Sequence, residues 1–166
     1  MTVNLRPERS RPMLLIAALV GAVILAVVMA SLWLGGRHDA QVRHAETGAR
    51  QAAKTYAVDL TTYDYTSLDH DFGWVTNGAT ASFAKEYASA NAPLRTVITK
   101  LKARATGTVT DAAATAKSSS KVEVLLFVDQ TIVNGTDSKK RTERNRVVMT
   151  MVHRDGRWIV DDVALR

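Results

Sequence analysis

Three hydrophobic patterns succeed one another along the chain, and each predicts a different kind of structure. Residues 13–34 are an unbroken run of 22 apolar or small side chains. At 1.5 Å of rise per residue they would span about 33 Å as a helix, enough to cross a bilayer. Pro12 precedes the run and Gly35-Gly36-Arg37 closes it. Next, Val42, Ala45, Ala49, Ala52, Tyr56 and Leu60 recur by threes and fours, which predicts a helix over 37–60 with a thin, mostly alanine face. The stretch 61–67 (TTYDYTS) breaks that period with β-formers and turn residues. A short helix is expected after it, with Ser67 or Asp69 as N-cap, ended by Gly73 and Asn77-Gly78. A longer helix follows from about Thr80, where Phe83, Tyr87, Ala90, Leu94, Val97 and Leu101 share a face. Pro93 interrupts it and predicts a kink or restart near Asn91. Beyond Gly107 the period becomes two, giving strands over 105–116, 121–133, 142–154 and 157–165, with a tight hairpin at Asp155-Gly156.

The fold class is therefore α+β: one transmembrane helix, then about three helices packed on a four-stranded antiparallel sheet. The expected organisation is a cytoplasmic basic tail (1–12), a transmembrane helix (13–34) and an extracytoplasmic domain (35–166). The tail arginines are matched by Arg37, Arg43, Arg50 and Lys54 beyond the helix, so charge alone does not orient it. Long C-terminal domains translocate largely regardless of charge, which puts the N-terminus inside and makes this a single-pass cell-membrane protein. Cleavage near Val28-Met29-Ala30 is the competing reading; the apolar run is longer than a usual signal-peptide core. Ala18, Ala22, Ala26 and Ala30 form a small-residue stripe on which another helix could pack, although alanine is simply common here. The strand centres 122–128 and 147–152 are apolar on both faces. Helices can cover only one, so the other is a candidate surface for a partner or a homo-oligomer.

Charge and composition narrow the chemistry. The chain carries a net charge of +6 from 22 basic and 16 acidic residues. Arg6, Arg9, Arg11 and Glu8 lie in the tail, which leaves a mild +4 beyond it. These charges are spread among aliphatic strands without interleaved aromatics, so nucleic acid is not an expected partner. The absence of cysteine removes disulfides, thiolate metal sites and cysteine nucleophiles. Tyr56, Asp59, Tyr63, Asp64, Tyr65, Asp69, His70 and Asp71 cluster in sequence, and a carboxylate in an apolar cavity could act as a base. Acids grouped near helix ends are more often caps and turns, and the histidines show no ligand spacing. No catalytic residue, cofactor or metal is expected. Asp129 reads as a solvent-facing strand residue. Lys139, Lys140, Arg141, Arg144 and Arg146 form a basic concentration that could meet an acidic partner or anionic lipid. Asn134-Gly135-Thr136 reads as a turn.

Three helices followed by a sheet that ends in Gly156-Arg157-Trp158-Ile159-Val160-Asp161 resemble the cone-shaped, nuclear transport factor 2-like fold, with its curved antiparallel sheet. Further motifs are Leu60-Thr61-Thr62-Tyr63-Asp64-Tyr65, Leu68-Asp69-x-Asp71, Phe83-x-x-Glu86-Tyr87 and Asp129-Gln130-Thr131. Together with the N-terminal apolar run, they resemble the actinobacterial Mce-associated membrane proteins. That resemblance implies a non-catalytic accessory subunit of an envelope lipid-import (Mce-type) complex. A pocket-bearing enzyme or lipid carrier of the same fold, and an assembly factor of a secretion or conjugation apparatus, are the alternatives. Phe83, Tyr87, Leu94, Val97, Phe127 and Trp158 are the residues that would line a lipid-accepting cavity or, more plainly, form the core.

Overall fold

The structure, a computed structural model, describes residues 10–136 and 139–166, with side chains from 23 onward except 30 and 32–38. Among the described residues the helices are α1 (Ser10–Thr61), α2 (Leu68–Asp71), α3 (Val75–Gly78) and α4 (Ala81–Leu101). The strands are β1 (Tyr63–Asp64), β2 (Arg104–Ser118), β3 (Lys121–Val133), β4 (Lys140–Arg154) and β5 (Arg157–Leu165). The chain divides into two units, 1–40 and 41–166.

In the first unit the backbone is helical from Ser10. Its described side chains at 23–29 are exposed, Ala26 among them. Among the described residues, no helix is long and apolar enough to cross a membrane. Most side chains of the expected span 13–34, including Ala18, Ala22 and Ala30, lie outside the described set, as does the tail 1–9.

The second unit is a five-stranded antiparallel sheet in the order β1-β2-β3-β4-β5, with the helices on one face. The fifth strand is β1, a two-residue pairing of Tyr63 and Asp64 with Ala105 and Arg104 that is too short to announce itself by alternation. Asp155 and Gly156 take φ of 50° and 75°, the paired left-handed conformation that a tight β-hairpin requires. Register shifts at Val109/Asp111 and Thr150/Met151 mark irregularities that bend a sheet.

Successive strand side chains point to opposite faces, and that parity divides this sheet cleanly. Val122, Val124, Leu126, Val128, Val147, Met149, Met151 and Val160 point inward and are essentially inaccessible. Against them α1 lays Ala45, Ala49, Ala53 and Ala57, all buried, at a spacing of four. Alanine lets the helix axis approach the sheet, so large strand residues fill the shared core. Two glycines mark how close the approach is. A Cβ at Gly107 would stand 1.8 Å from Thr61 Oγ1, and one at Gly48 would stand 2.8 Å from Trp158 Nε1. Glu46 Oε1, on the same helix, accepts the Ala116 N–H at 2.9 Å.

Two helical expectations are corrected. Helix α4 runs through Pro93 without a restart. Pro93 and Ser89 are both exposed, so water can satisfy the Ser89 carbonyl that loses its i+4 partner. The buried residue of the last α4 turns is Ile98, while Val97 and Leu101 are exposed. Ser67 does occupy the N-cap of α2 but makes no side-chain cap, its hydroxyl donating instead to Asp71 Oδ2 at 2.9 Å. Helix α4 begins at Thr80, whose hydroxyl accepts the Phe83 N–H and whose own N–H donates to the Val160 carbonyl at 2.8 Å.

Candidate functional site

The concave face of the sheet is not filled along its whole length. Inward positions of β3 are apolar up to Val128 and become Gln130 and Ile132. Those of β4 are apolar back to Val147 and become Asn145, Glu143 and Arg141. Helix α1 ends at this change of character. Gln130 Nε2 donates to the Thr61 carbonyl at 2.9 Å and the Gly107 N–H donates to Thr62 Oγ1 at 3.1 Å, fastening the end of the helix there. Beyond it the sheet floor is left uncovered, and a cavity of about 560 Å³ opens between the sheet and α4.

One wall of this cavity is aromatic. Tyr63, Phe72, Phe83 and Tyr87 line it, in a chain of contacts with centroids 6.2 Å apart for Tyr63–Phe72, 6.2 Å for Phe72–Tyr87 and 5.9 Å for Phe83–Tyr87. Behind it Trp74 packs 5.4 Å from Tyr87 and 5.5 Å from Tyr56. The Trp74 Nε1 is buried with no hydrogen-bond partner of good geometry. Leu60, Leu94, Ile132, Val163 and Leu165 complete the apolar lining, and the polar lining includes Glu86, Asn91, Gln130, Arg141, Glu143, Asn145 and Asp162.

Burial raises the pKa of the Tyr63 phenol, with Arg141 pulling it down and Glu143 pushing it up. Burial also raises that of Tyr87, opposed by the Trp74 indole N–H, Asn91 and Arg95. Arg141 and Glu143 pair at 3.1 Å. Of the acids along the lining, Glu86 is exposed and Glu143 half-buried, while Asp162, opposite Thr150 and in step with outward Ala164, turns its carboxylate to the outer face of the sheet. Neither Glu86 nor Glu143 is enclosed in an apolar pocket.

The other residues singled out from sequence take different places. Phe83, Tyr87 and Leu94 line the cavity; Phe127 and Trp158 do not. Phe127 has the parity of Glu123 and Asp129, so it projects from the outer face of the sheet and is 40% exposed. Its assignment to a pocket or core is corrected accordingly. Trp158 packs inward at the opposite end of the sheet, against Gly48 and 5.0 Å from His153. Of the clustered acids, Asp64 accepts from the Thr66 N–H and hydroxyl and from Arg104. Those bonds hold its pKa down at about 2. Asp71 accepts the Asp64 N–H at 2.7 Å, and Asp69 pairs with Arg95. These groups build the turn around α2. Burial raises the pKa of Asp59, which lies on α1 outside the cavity lining.

Asp129 faces outward, 4.0 Å from Arg144. Strand parity splits the basic concentration, sending Arg141 to the cavity and Arg144 and Arg146 to the outer face. In the turn, Asn134 Oδ1 accepts from the Thr136 N–H and hydroxyl. Among the described residues, no group of His, Cys, Asp or Glu could hold a metal ion. Sequence reasoning missed Leu60, Thr61, Phe72, Gln130, Ile132, Asn145 and Asp162 as lining residues. For the strand positions the signal was present, since carrying the inward parity past Val128 and Val147 reaches each β3 and β4 member.

Solved structures similar to the chain share its fold. An IcmL-like type IV secretion system protein from Legionella pneumophila superposes with a TM-score of 0.61 at 13% identity, covering 70% of this chain and 88% of that one. CagV, a VirB8 homologue from Helicobacter pylori, gives 0.58 at 16%, covering 72% and 97%. The periplasmic domain of DotI gives 0.63 at 12%, covering 73% and 94%. At these identities the likeness is one of fold, an α+β architecture of the VirB8 and nuclear transport factor 2-like kind; it lends no support to a lipid-import role. No curated protein matches the chain in sequence. A sequence model of the family described as "Uncharacterized protein Rv1363c/MT1408-like" matches residues 12–165, and the chain belongs to that family.

Proposed function

We propose that this chain is a non-catalytic assembly factor, anchored in the cell membrane by 13–34 with its domain outside, that holds other proteins of a multi-component envelope apparatus. The observation that carries the proposal is the outer face of the sheet. Ala113, Leu125, Val148 and Ala164 lie in one cross-strand row, with Val152 opposite Ile159 and Phe127 alongside. All of them are exposed or half-buried, and no described element covers them. A contiguous apolar surface rimmed by charge, here Asp129, Arg144 and Arg146, is how protein partners are held. The shared fold with type IV secretion system proteins supports the same class of role. The cavity lacks a carboxylate placed as a base, which favours binding over turnover.

An Mce-type lipid-import complex is the second reading, favoured by the motif likeness from Leu60 to Tyr65 and at Trp158. Both readings use the outer face, and the identity of the partners separates them. The test is purification of full-length protein from native membranes in mild detergent after cross-linking, with Phe127→Asp alongside. The expected outcome is loss of the co-purifying envelope proteins by the variant at unchanged folding. Retention of the same partners would remove the outer face from the proposal, and cross-links only between copies of this chain would replace it by self-association.

A further inference from the structure

We infer that the open end of the inner sheet face is a docking groove for one amphipathic α-helix of a partner protein, seated beside α4 and antiparallel to it. The groove lies on the opposite face of the sheet from the surface that carries the assembly role, so the two stand or fall separately. Its wall is α4. Ala90, Leu94, Val97 and Leu101 follow one another at intervals of four, three and four, the seam that one helix offers to another. Such a seam is normally covered, yet Leu94, Val97 and Leu101 are 42%, 51% and 38% exposed and none belongs to the packed core. Phe83 and Ile98 hold α4 to the domain by a different face, which leaves the seam turned sideways along the cavity that Ala90 and Leu94 also line.

The floor is the part of the sheet that α1 leaves uncovered, and a second helix laid beside α4 continues that unfinished layer. Its apolar side chains enter the cavity of about 560 Å³, and its backbone is bonded within itself and needs nothing from the floor. A small ligand held in the cavity would leave Val97 and Leu101, which lie beyond its lining, still exposed. An extended segment fits no better, because β3 and β4 are paired on both sides and offer no free strand edge there. Charge fixes the direction of the helix. Glu86 and Lys100 occupy equivalent positions at opposite ends of the seam, on its solvent side. Among the described residues neither has an ion-pair partner. They call for a base opposite Glu86 and an acid opposite Lys100. Acids suit the first turn of a helix and bases the last, so the partner helix starts at Lys100 and ends at Glu86. An anionic bilayer would match Lys100 and be repelled by Glu86.

The test uses full-length protein in phosphatidylcholine nanodiscs and a fluorescent amphipathic peptide with leucines at helical spacing, glutamates in its first turn and lysines in its last. A second peptide exchanges the two charged ends. Anisotropy should show saturable binding of one peptide per chain, with the exchanged peptide at least five-fold weaker, and circular dichroism should show helix gained on binding. Val97→Asp, at an exposed position outside the core, should weaken binding at least ten-fold, while Phe127→Asp on the outer face should leave it unchanged. The double variant E86K/K100E should invert the preference between the two peptides. Wild-type affinity in Val97→Asp, equal affinity for both peptides, binding without gain of helix, or no saturable binding overturns the inference. Displacement of the peptide by phosphatidylglycerol vesicles would also overturn it, in favour of a lipid surface.

Discussion

The two ends of the concave sheet face are built on opposite principles. Toward the Asp155-Gly156 hairpin the sheet presents Val122, Val124, Leu126, Met149 and Met151, and the helix answers with Ala45, Ala49 and Ala53. Large residues on one side and small ones on the other leave no space. Toward the connection between β3 and β4 the pairs become Val128 with Asn145, Gln130 with Glu143 and Ile132 with Arg141. There α1 has ended and the facing wall is a row of rings on α4 and around α2. Polar side chains need partners or water, so this half of the face cannot close on itself as the other does. A single sheet thus carries both a sealed core and an open cavity, and the change is written in which residues share the inward parity.

The largest way to break this contrast is to empty the sealed end. Leu126→Ala removes a fully buried side chain from the middle strand and should cost about 3 kcal/mol, within the 2 to 5 usual for such truncations. A urea midpoint followed by tryptophan fluorescence measures it. A loss below about 1 kcal/mol would mean that the core is looser than its burial implies. Next in size is the same substitution made at both ends. Ala53→Leu forces three extra carbons between α1 and the sheet and should cost about 2 kcal/mol by overpacking. Ala90→Leu, on the cavity side of α4, should stay within about 0.5 kcal/mol of the parent. Equal penalties would show that the two ends are packed alike.

Much of this architecture is legible in the sequence. The expected strands 121–133 and 157–165 coincide with β3 and β5, because alternation and the Asp-Gly turn fix them independently. The alanine face of α1 was visible through its period, although Ala53 and Ala57 were missed by following the larger residues Tyr56 and Leu60. Phe127 was misplaced because the centre of β3 is apolar on both faces, where hydrophobicity alone carries no parity. The charged neighbours at Glu123 and Asp129 do carry it and assign Phe127 outward. The cavity could not be read in advance, since it depends on where α1 stops relative to the sheet. That position is set by long-range contacts of Thr61 and Thr62 with Gln130 and Gly107. Two-residue β1 has no period to detect, and Pro93 is tolerated only because its turn of α4 faces water.

The smallest expected effect sharpens the comparison through pH. The sealed end rests on apolar packing and contains no titrating group in its buried core. The turn beside the open end is held by carboxylates: Asp64 by Thr66 and Arg104, and Asp71 by the Asp64 N–H and by Ser67 and His70. For Asp64 the bonds from Thr66 dominate, with Arg104 after them, and the folded pKa is about 2 against an ordinary 3.8. For Asp71 partial burial pushes upward, but the combined hydrogen bonds outweigh it and the pKa is lowered. A carboxyl whose folded pKa is depressed contributes stability above its unfolded pKa and loses it as pH falls toward the folded value. The contribution of Asp64 is therefore complete above about pH 5 and drains away between roughly pH 4 and 2. Hydrogen exchange followed from pH 5 to 2.5, corrected for intrinsic rates, should show amides of 63–72 losing protection before those of β3 and β4. Asp64→Asn should start less stable at pH 5 and show a flatter decline, because it has no proton left to bind. If 63–72 and the strands lost protection together, with the variant declining as steeply as the parent, the turn and the core would form one cooperative unit and the division of the sheet into two ends would have no energetic meaning.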